Sequence, residues 1–284
     1  MKIALIQMNS QPYRAANLRQ AEELMQQALS GRPDLIVLPE HFDWTGGTAV
    51  QKRAAADHVP GGAAYKLVQS FAARNRVAIH AGSLLETRVG SKRIHNTSVV
   101  FDAHGNEIGL YRKIHLFDIV APDGKVYNES ETVAAGDSLL IYEIGGIRIA
   151  CCICYDLRFS RLFDRLAQEN VDIFVLPAAF TRQTGKDHWE VLCRARAIEF
   201  QAYVVACGQC GHYETPAGER RDMHGHSMVC DPWGKVVAEA GDEVGLLEVE
   251  IDPTCITAVR SLIPMATHRV DLQNVQLAVR KAQR

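Results

Sequence analysis

Short apolar runs bounded by turn-forming residues recur along the chain and predict buried β-strands. There are six such runs, which read KIALIQM (2–8), DLIVLPE (34–40), VAIHAGS (77–83), IRIACCIC (147–154), VDIFVLPAA (171–179) and AYVVACGQ (202–209). Apolar residues fill consecutive positions in these runs instead of alternating with polar ones. This pattern is typical of strands that are covered on both faces, as in a sheet flanked by other layers.

The segments between these runs have apolar residues spaced three and four positions apart, which predicts amphipathic helices. This spacing covers residues 15–29, 63–75, 161–170 and 188–201. Predicted strands and helices therefore alternate along the chain. Such an order favours an α/β fold.

One succession of elements occurs twice. IALIQM, a helix and PDLIVLPE in the first half match IACCIC, a helix and NVDIFVLPAA in the second half. If each is a βαβ unit, the fold has two related halves, and four layers with two sheets are expected. The segment TSVVFDAHGNEIGLYRKIHLF (97–117) reads as a hairpin with its turn at AHGN, so antiparallel strands are expected beside the parallel ones.

The domain organisation is predicted to be simple. No low-complexity linker divides the 284 residues, so residues 1–270 are expected to form a single domain. Residues 271–284 have no evident place in the core of that domain. They are predicted to form a tail that packs on a partner subunit.

Composition excludes several classes of function. A hydrophobic content of 47% provides a substantial core, and a net charge of −2 leaves no basic face for nucleic acid. No apolar run approaches the roughly 18 residues of a membrane-spanning helix, and MKIALIQMNS does not resemble a signal peptide. The eight cysteines lie mainly within apolar runs of a large chain, where reduced thiols are the norm. We therefore expect a cytoplasmic protein that binds neither nucleic acid nor membranes.

Three residues with reactive or charged side chains follow predicted strands. Glu40 comes after DLIVLP, Lys113 after EIGLYR, and Cys154 closes IRIACCIC. In open α/β sheets, ligands bind beyond the carboxyl ends of the strands, where loops converge. Cys151 and Cys152 lie in the middle of their strand and are expected to be buried, which leaves Cys154 as the candidate nucleophile.

A thiol with an ordinary pKa of about 8.5 needs a neighbouring base or cation to become a nucleophile. Glu40 offers the base, while Lys113 and the backbone N–H of Tyr155 can stabilise an oxyanion. Taken singly, each side chain has a plainer interpretation, as a structural cysteine, an exposed carboxylate or a solvated ammonium. The occurrence of all three at strand ends favours catalysis.

The chain resembles the nitrilase superfamily of carbon–nitrogen hydrolases at these residues. The resemblance rests on LIVLPE, YRKIHLFD and CYDLRF, together with NES (128–130), GKDHWEVLCRARAIE (185–199) and GHSMVCDPWGKVVAEAG (225–241). It implies an α-β-β-α four-layer sandwich that forms a homodimer or higher homo-oligomer, with no metal and no organic cofactor. It also implies that Glu40 is the general base, Lys113 the oxyanion stabiliser and Cys154 the nucleophile. Glu129 matches a further active-site glutamate, in preference to Glu131.

Within the superfamily the chain is similar to the Nit branch, and the blocks HWEVLCRARAIE, CGQCG and GHSMVCDPWG resemble deaminated-glutathione amidases. The implied reaction is hydrolysis, through a thioester, of the terminal carboxamide of a small carboxylate-bearing amide to an acid and ammonia. Omega-amidase activity on alpha-ketoglutaramate or succinamate is the alternative, followed by hydrolysis of a small nitrile.

A substrate carboxylate requires a cation in the binding pocket. Loops after Cys154 and after VLPAAF contain the candidates Arg158, Arg182 and Lys186, although Arg182 and Lys186 also fit a solvated surface. The candidate substrate-binding residues are therefore Tyr155, Arg158, Phe180 and Arg182. Phe42 and Trp44, which follow Glu40, are expected either to line the acyl pocket or to pack in the core.

Other classes of function are less favoured by the sequence. Cys207, Cys210 and His212, with His224 and His226 nearby, suggest a zinc site, but only one C-x-x-C pair is present where paired motifs are usual. The same pair lacks a thioredoxin-like context. A non-catalytic scaffold would have no chemical reason to retain Glu40, Lys113 and Cys154 together.

Overall fold

Strands and helices alternate along the chain, as the hydrophobic pattern predicts. The computed structural model describes residues 1–270, 272 and 275–281. The strands are β1 (Lys2–Gln7), β2 (Leu35–Val37), β3 (Ala78–His80), β4 (Leu84–Glu86), β5 (His95–Phe101), β6 (Glu107–Arg112), β7 (Asp118–Val120), β8 (Val126–Asn128), β9 (Ile141–Ile144), β10 (Ile147–Cys151), β11 (Ile173–Ala178), β12 (Tyr203–Gly208), β13 (His212–Glu214), β14 (Arg220–Asp222), β15 (Met228–Cys230), β16 (Val236–Glu239) and β17 (Gly245–Glu250). The helices are α1 (Arg14–Ala28), α2 (Ala49–Ala55), α3 (Ala63–Asn75), α4 (Ser160–Ala167), α5 (Arg182–Phe200), α6 (Pro253–Leu262) and α7 (Met265–His268), with 3-10 helices at Leu29–Gly31, Glu129–Glu131 and Cys154–Arg158.

All six predicted strands and all four predicted helices form. The largest difference concerns α5, which begins at Arg182 and not near residue 188. The residues at its start, RQTGKD, are polar and have no helical spacing of apolar positions. Thr181 nevertheless caps this end, because its side-chain oxygen accepts a hydrogen bond from the Thr184 N–H. The cap fixes a helix start that hydrophobic periodicity alone does not indicate.

The two predicted βαβ units lie in two separate sheets. The first sheet has the order β17-β1-β2-β3-β5-β4, with β6 paired to β5, and the second has the order β16-β15-β12-β11-β10-β9. β1 pairs in parallel with β2, and β10 pairs in parallel with β11. Antiparallel strands flank both parallel groups. The prediction of two related halves with mixed sheets is therefore confirmed.

The sheets pack face to face, and helices cover their outer faces. Ile3 and Leu5 of β1 belong to the same apolar cluster as the residues of β10, β11 and β12, whereas Ala4 and Ile6 join the cluster formed with α1 and α3. This alternation follows from the two-residue repeat of a strand. Each fully buried aliphatic or aromatic side chain stabilises the fold by about 1.5–3 kcal/mol, so the two cores hold the layers together. The α-β-β-α sandwich is confirmed.

The hairpin predicted at 97–117 is formed by β5 and β6. Thr97 pairs with Arg112 and Val99 with Leu110, and the turn falls within residues 102–106. Lys113 is therefore the first residue after β6. The hairpin therefore places Lys113 at the end of the first sheet where β2 also ends.

The described part of the C-terminal segment does not add to the sandwich. Positions 271, 273, 274 and 282–284 of the predicted tail lie outside the described residues, and Leu272 and residues 275–281 form neither helix nor strand. Their large apolar side chains are exposed, as at Leu277 and Val279. Of the helices that the structure describes, none is long and apolar enough to cross a membrane.

Candidate active site

Glu40, Lys113 and Cys154 meet at one end of the sandwich. Glu40 lies three residues beyond β2, Lys113 directly follows β6, and Cys154 lies three residues beyond β10. All three side chains are buried, with exposed fractions of 2%, 2% and 7%. Strand ends from both sheets thus bring together three residues that are far apart in sequence.

The turn that carries Glu40 is held by the segment after β3. The Ser83 N–H donates to the Pro39 carbonyl, and Ser83 Oγ accepts a hydrogen bond from the His41 N–H. Gly82 has a φ of +48°, and a Cβ there would collide with the Pro39 carbonyl oxygen. Only glycine fits this close approach without strain, so Gly82 helps to fix the position of the carboxylate.

Cys154 begins the 3-10 helix Cys154–Arg158 in the left-handed region, with a φ of +45°. This conformation is uncommon for a residue with a side chain and persists only where its surroundings enforce it. Asp156 provides that support, because its carboxylate accepts hydrogen bonds from the N–H groups of Ile153 and His115 and from the Tyr111 hydroxyl. The sharp turn leaves the thiol at the surface of a cavity. It also leaves the Tyr155 N–H in the first turn of a helix, where N–H groups lack a partner within the helix.

The Lys113 ammonium lies between two carboxylates. Its Nζ is 2.9 Å from Oε1 of Glu40 and 2.8 Å from Oε2 of Glu129. Asn96 donates through Nδ2 to Glu40 Oε1 at 2.9 Å, and the Ala179 N–H donates to Glu40 Oε2 at 2.8 Å. An ammonium has three donors, so Lys113 retains one for another acceptor.

Charge interactions fix the protonation states of these groups. Burial alone would raise the pKa of Glu40, but the Lys113 ammonium 2.9 Å away lowers it below its usual value. Burial, followed by the nearby Glu40 carboxylate, raises the pKa of the Cys154 thiol. Burial would lower the pKa of Lys113, but the carboxylates of Glu129 and Glu40 hold it well above its usual value. The resting site therefore contains a carboxylate, an ammonium and a neutral thiol.

His41 borders the same groups. Its Nε2 is 3.8 Å from Oε1 of Glu40, and its Nδ1 is buried without a hydrogen-bond partner among the described residues. Burial lowers the pKa of His41 to about 4. The imidazole is therefore neutral at physiological pH and adds no second cation beside Lys113.

The ligand atoms of Glu40, His41 and Glu129 lie within 4.8 Å of one another, a spacing that a metal ion can use. The Lys113 ammonium already bonds to both carboxylates of this group. A divalent ion held by the same oxygens would be in direct repulsion with that ammonium. The donor set therefore fits an ion-paired lysine better than a resident metal.

A cavity of about 260 Å³ opens above the thiol. Glu40, Lys113, Glu129 and Cys154 form its floor. Its walls include Trp44, Lys52, Phe117, Tyr127, Tyr155, Phe180, Thr184, Tyr213, Arg221 and Met223. The cavity thus joins a reactive thiol to aromatic walls and to two further cations.

Comparison with known proteins agrees with this arrangement. The family model described as carbon-nitrogen hydrolase matches residues 2–261. The chain belongs to the carbon-nitrogen hydrolase family. The protein is therefore a hydrolase of carbon–nitrogen bonds.

Individual members of the carbon-nitrogen hydrolase family match nearly the whole chain. A deaminated glutathione amidase from Synechocystis sp. is 40% identical over 271 residues, which cover 94% of this chain and 97% of that protein. Omega-amidase NIT2-A from Xenopus laevis is 34% identical, with 97% of each chain covered. The crystal structure of Saccharomyces cerevisiae Nit3, a member of branch 10 of the nitrilase superfamily, superposes with a TM-score of 0.82 at 30% identity, covering 93% of this chain and 94% of that one. The resemblance to the nitrilase superfamily and its Nit branch is confirmed.

The predicted substrate-binding residues lie in different places in this carbon-nitrogen hydrolase. Tyr155 and Phe180 line the cavity. Arg158 is not among its lining residues, since its guanidinium lies 5.2 Å from the centre of the Phe180 ring and its Nη1 is 3.1 Å from His188 Nδ1. Arg182 pairs with Asp242 at 3.4 Å on the surface. The prediction that Arg158 and Arg182 bind substrate therefore has no direct support from the cavity.

The structure also shows which of the remaining candidate residues line the cavity. Lys186 is exposed on α5, and Glu131 is exposed while Glu129 lies in the cavity. Phe42 is fully buried in the core, whereas Trp44 lines the cavity. Of the two roles expected for these aromatic residues, packing applies to Phe42 and cavity lining to Trp44.

Several residues at the site were missed by sequence reasoning, namely Asn96, His41, Asp156, Lys52 and Arg221. The sequence did indicate a role for Asn96 and Asp156, because a polar residue within or just after a buried strand needs a hydrogen-bond partner. Nothing in the sequence indicated a role for Lys52 or Arg221, because each lies in a polar segment where a charged residue is common.

Cys207, His224 and His226, which were considered for zinc, make other contacts. The Cys207 thiol is buried in β12 and lies 3.2 Å and 3.4 Å from the carbonyl oxygens of Ile6 and Val37. His226 contacts Glu239 and Asp242 through its two ring nitrogens, and its ring stacks on that of His224. Cys207 therefore serves the contact between the two sheets.

Proposed function

We propose that this carbon-nitrogen hydrolase is a cysteine-dependent amidase, in which Cys154 is the nucleophile, Glu40 the general base, and Lys113 the oxyanion stabiliser. The observation that carries the proposal is that the Cys154 thiol lines the same cavity as the ion pair between Lys113 and Glu40. The neutral thiol beside a carboxylate is the arrangement that base-assisted attack requires. Glu129 has a supporting role, since it holds the Lys113 ammonium from the opposite side.

The first half-reaction forms a thioester. Glu40 takes the thiol proton as the sulfur attacks the amide carbon, and the carbonyl oxygen becomes an oxyanion. The third N–H of Lys113 and the Tyr155 N–H stabilise that charge, and the buried setting strengthens both interactions. Glu40 then returns the proton to the amide nitrogen, the C–N bond breaks, and an amine or ammonia leaves.

The second half-reaction releases the acid. Glu40, again a carboxylate, takes a proton from a water molecule that attacks the thioester carbon. The tetrahedral intermediate uses the same oxyanion donors. When the C–S bond breaks, the proton passes to sulfur, and the site returns to thiol and carboxylate.

The proposed substrate class is a small amide that carries a carboxylate. Support comes from the deaminated glutathione amidase and omega-amidase among the relatives and from the cationic Lys52 and Arg221 in the cavity wall. The amide bonds of deaminated glutathione are substituted, so its hydrolysis releases an amine, whereas a primary amide such as alpha-ketoglutaramate releases ammonia. The expectation of ammonia therefore applies to the omega-amidase alternative, and the deaminated-glutathione activity is the one we favour at 40% identity.

The decisive experiment replaces the proposed nucleophile. Cys154→Ala is expected to abolish hydrolysis of deaminated glutathione and alpha-ketoglutaramate, because no other group at the cavity floor can form the thioester. Release of amine and of ammonia should both be followed, with mass spectrometry of the trapped acyl-enzyme of the wild type. Cys255→Ala is the matched control, since Cys255 is a half-buried thiol that does not line the cavity. Turnover by Cys154→Ala at the wild-type rate would overturn the proposal.

We further propose that residues 1–270 form the catalytic domain of a homodimer and that residues 271–284 pack on the partner subunit. Exposed apolar side chains support this, among them Val191 and Ile198 on one face of α5, Trp233, and Val279 in the tail. A monomer rarely leaves so many large apolar side chains exposed on neighbouring elements. A reducing cytoplasm is the compartment that we propose, because catalysis depends on a free thiol.

A further inference from the structure

Two adjacent arginines of the hairpin formed by β13 and β14 differ in exposure: Arg221 faces the cavity and Arg220 faces solvent. Arg221 lines the cavity and its side chain is 11% exposed, whereas the side chain of Arg220 is 61% exposed and pairs with Asp222. Adjacent side chains of a strand point to opposite faces, which explains the difference. Burial of one arginine beside a cavity needs a reason, because it costs hydration that solvent would otherwise supply.

The partners of Arg221 leave part of its guanidinium unused. Its Nη2 donates to Glu219 at 2.7 Å, and its central carbon lies 4.5 Å from the centre of the Tyr127 ring. Nη1 is buried and has no hydrogen-bond partner among the described residues. A buried charged donor without an acceptor is costly, and a carboxylate from a ligand would satisfy it.

The two cations of the cavity wall differ in their distance from the reacting atoms. Lys52 lines the cavity, where burial lowers the pKa of its ammonium while the nearby Glu129 and Glu40 carboxylates at the floor act in the opposite direction. Arg221 instead contacts the Tyr127 ring and pairs with Glu219, whose side chain is 39% exposed. Val126, next to Tyr127, also lines the cavity and is 62% exposed. Arg221 therefore lies toward the solvent end of the cavity.

We infer that Arg221 binds a carboxylate on the leaving-group side of the scissile amide. The inference rests on the proposed amidase function. The acyl part of the substrate remains bonded to Cys154 at the floor, while the leaving group must depart through the open end, where Arg221 lies. Planar guanidinium groups bind carboxylates through paired hydrogen bonds, a geometry that lysine does not provide.

This assignment narrows the substrate class. The favoured substrates are amides in which a short acyl group is joined to an amino acid or short peptide with a free terminal carboxylate. Lys52 is left for a carboxylate on the acyl side, close to the reacting atoms. The two cations would then recognise an amide that carries a negative charge at each end.

The test compares three substrates with the same 2-oxoglutaryl acyl group attached through C5. The first is the primary amide, the second is the amide of cysteinylglycine, and the third is the amide of cysteinylglycine whose terminal carboxylate is converted to a carboxamide. Wild-type enzyme is expected to prefer the second over the third in kcat/KM, mainly through a lower KM. In Arg221→Gln this preference falls by about 10- to 100-fold, the range expected when a charge-assisted hydrogen-bonded contact is lost.

Arg220→Gln is the matched control, because it removes the same charge from the solvent face of the same strand and should leave the preference unchanged. Arg221→Lys should retain only part of it, since the charge remains but the paired donors do not. The inference is overturned if wild-type enzyme hydrolyses the second and third substrates equally, or if Arg221→Gln keeps the wild-type preference. Loss of the primary-amide reaction in Cys154→Ala tests the proposed function independently, so the failure of one proposal is distinct from failure of the other.

Discussion

At the residue scale, Glu40, Lys113 and Cys154 are stable in a buried site only as a set. An isolated buried carboxylate or ammonium is expensive, and the cost is offset here because Lys113 bonds to Glu40 and Glu129 together. The thiol stays neutral because it is buried beside a carboxylate. The same ion pairs that stabilise the buried charges also fix the position of Glu40, the proposed base.

Glu40→Gln is expected to lower kcat by about 10²- to 10⁴-fold, because the amide can still accept a hydrogen bond from Lys113 but cannot take the thiol proton. Steady-state kinetics on alpha-ketoglutaramate would measure this loss. Glu131→Gln removes an exposed carboxylate two residues from Glu129 and should retain wild-type kinetics. If Glu40→Gln turned over at the wild-type rate, Glu40 would not be the base.

The sequence indicated the three residues proposed for catalysis, which the structure brings into one cavity, but not the cations of the cavity wall. The sequence distinguished Cys154 from Cys151 and Cys152, because the strand pattern predicts the last two within the strand and Cys154 at its end. The sequence could not show that Arg221 is buried and Arg220 exposed, because both lie in one polar hairpin. Only the packing of that hairpin against the sandwich distinguishes them.

At the element scale, the turn after β10 shows how the end of a strand positions Cys154, the proposed nucleophile. Cys154 has a positive φ, and the buried Asp156 two residues later ties the turn to the segment after β6. The element pattern predicted the strand and the following helix, but not the 3-10 turn between them. Such a turn depends on Tyr111 and His115, which contact Asp156 from another part of the chain.

Asp156→Asn should therefore lower the free energy of unfolding by about 2–4 kcal/mol, because the amide nitrogen faces hydrogen-bond donors that the carboxylate oxygen had accepted. Urea unfolding followed by circular dichroism would measure the change. The control is Asp137→Asn, which alters an exposed carboxylate and should remain within about 0.5 kcal/mol of wild type. Equal stability of the two variants would show that Asp156 does not anchor the turn.

At the scale of the whole molecule, the sandwich leaves an apolar surface formed by α5 and the adjoining loop. Val191 and Ile198 are seven residues apart on α5 and so share one face. Trp233 precedes Gly234, whose carbonyl accepts a hydrogen bond from Arg194 of α5, so the exposed indole lies beside this face. A second copy of the chain is the partner that we propose for it.

Ile198→Glu is expected to shift the protein from dimer to monomer, because a carboxylate in an apolar interface loses hydration without gaining a partner. Light scattering coupled to size-exclusion chromatography would give the mass. Val89→Glu places the same charge on a loop residue that is 93% exposed and should leave the mass unchanged. A monomeric mass for the wild-type protein would contradict the homodimer.

The sequence by itself determined the elements, their alternation, the duplicated βαβ units and the three residues proposed for catalysis. These features follow from local periodicity and from the rule that ligands bind at strand ends, and both the periodicity and the strand ends are recognisable in the sequence. Tertiary structure alone decided which charges are buried at the cavity. Lys52, Asn96 and Arg221 come from α2, β5 and β14, and no local pattern relates them. Their shared position follows from the packing of two sheets and a hairpin, which joins residues that are distant in sequence.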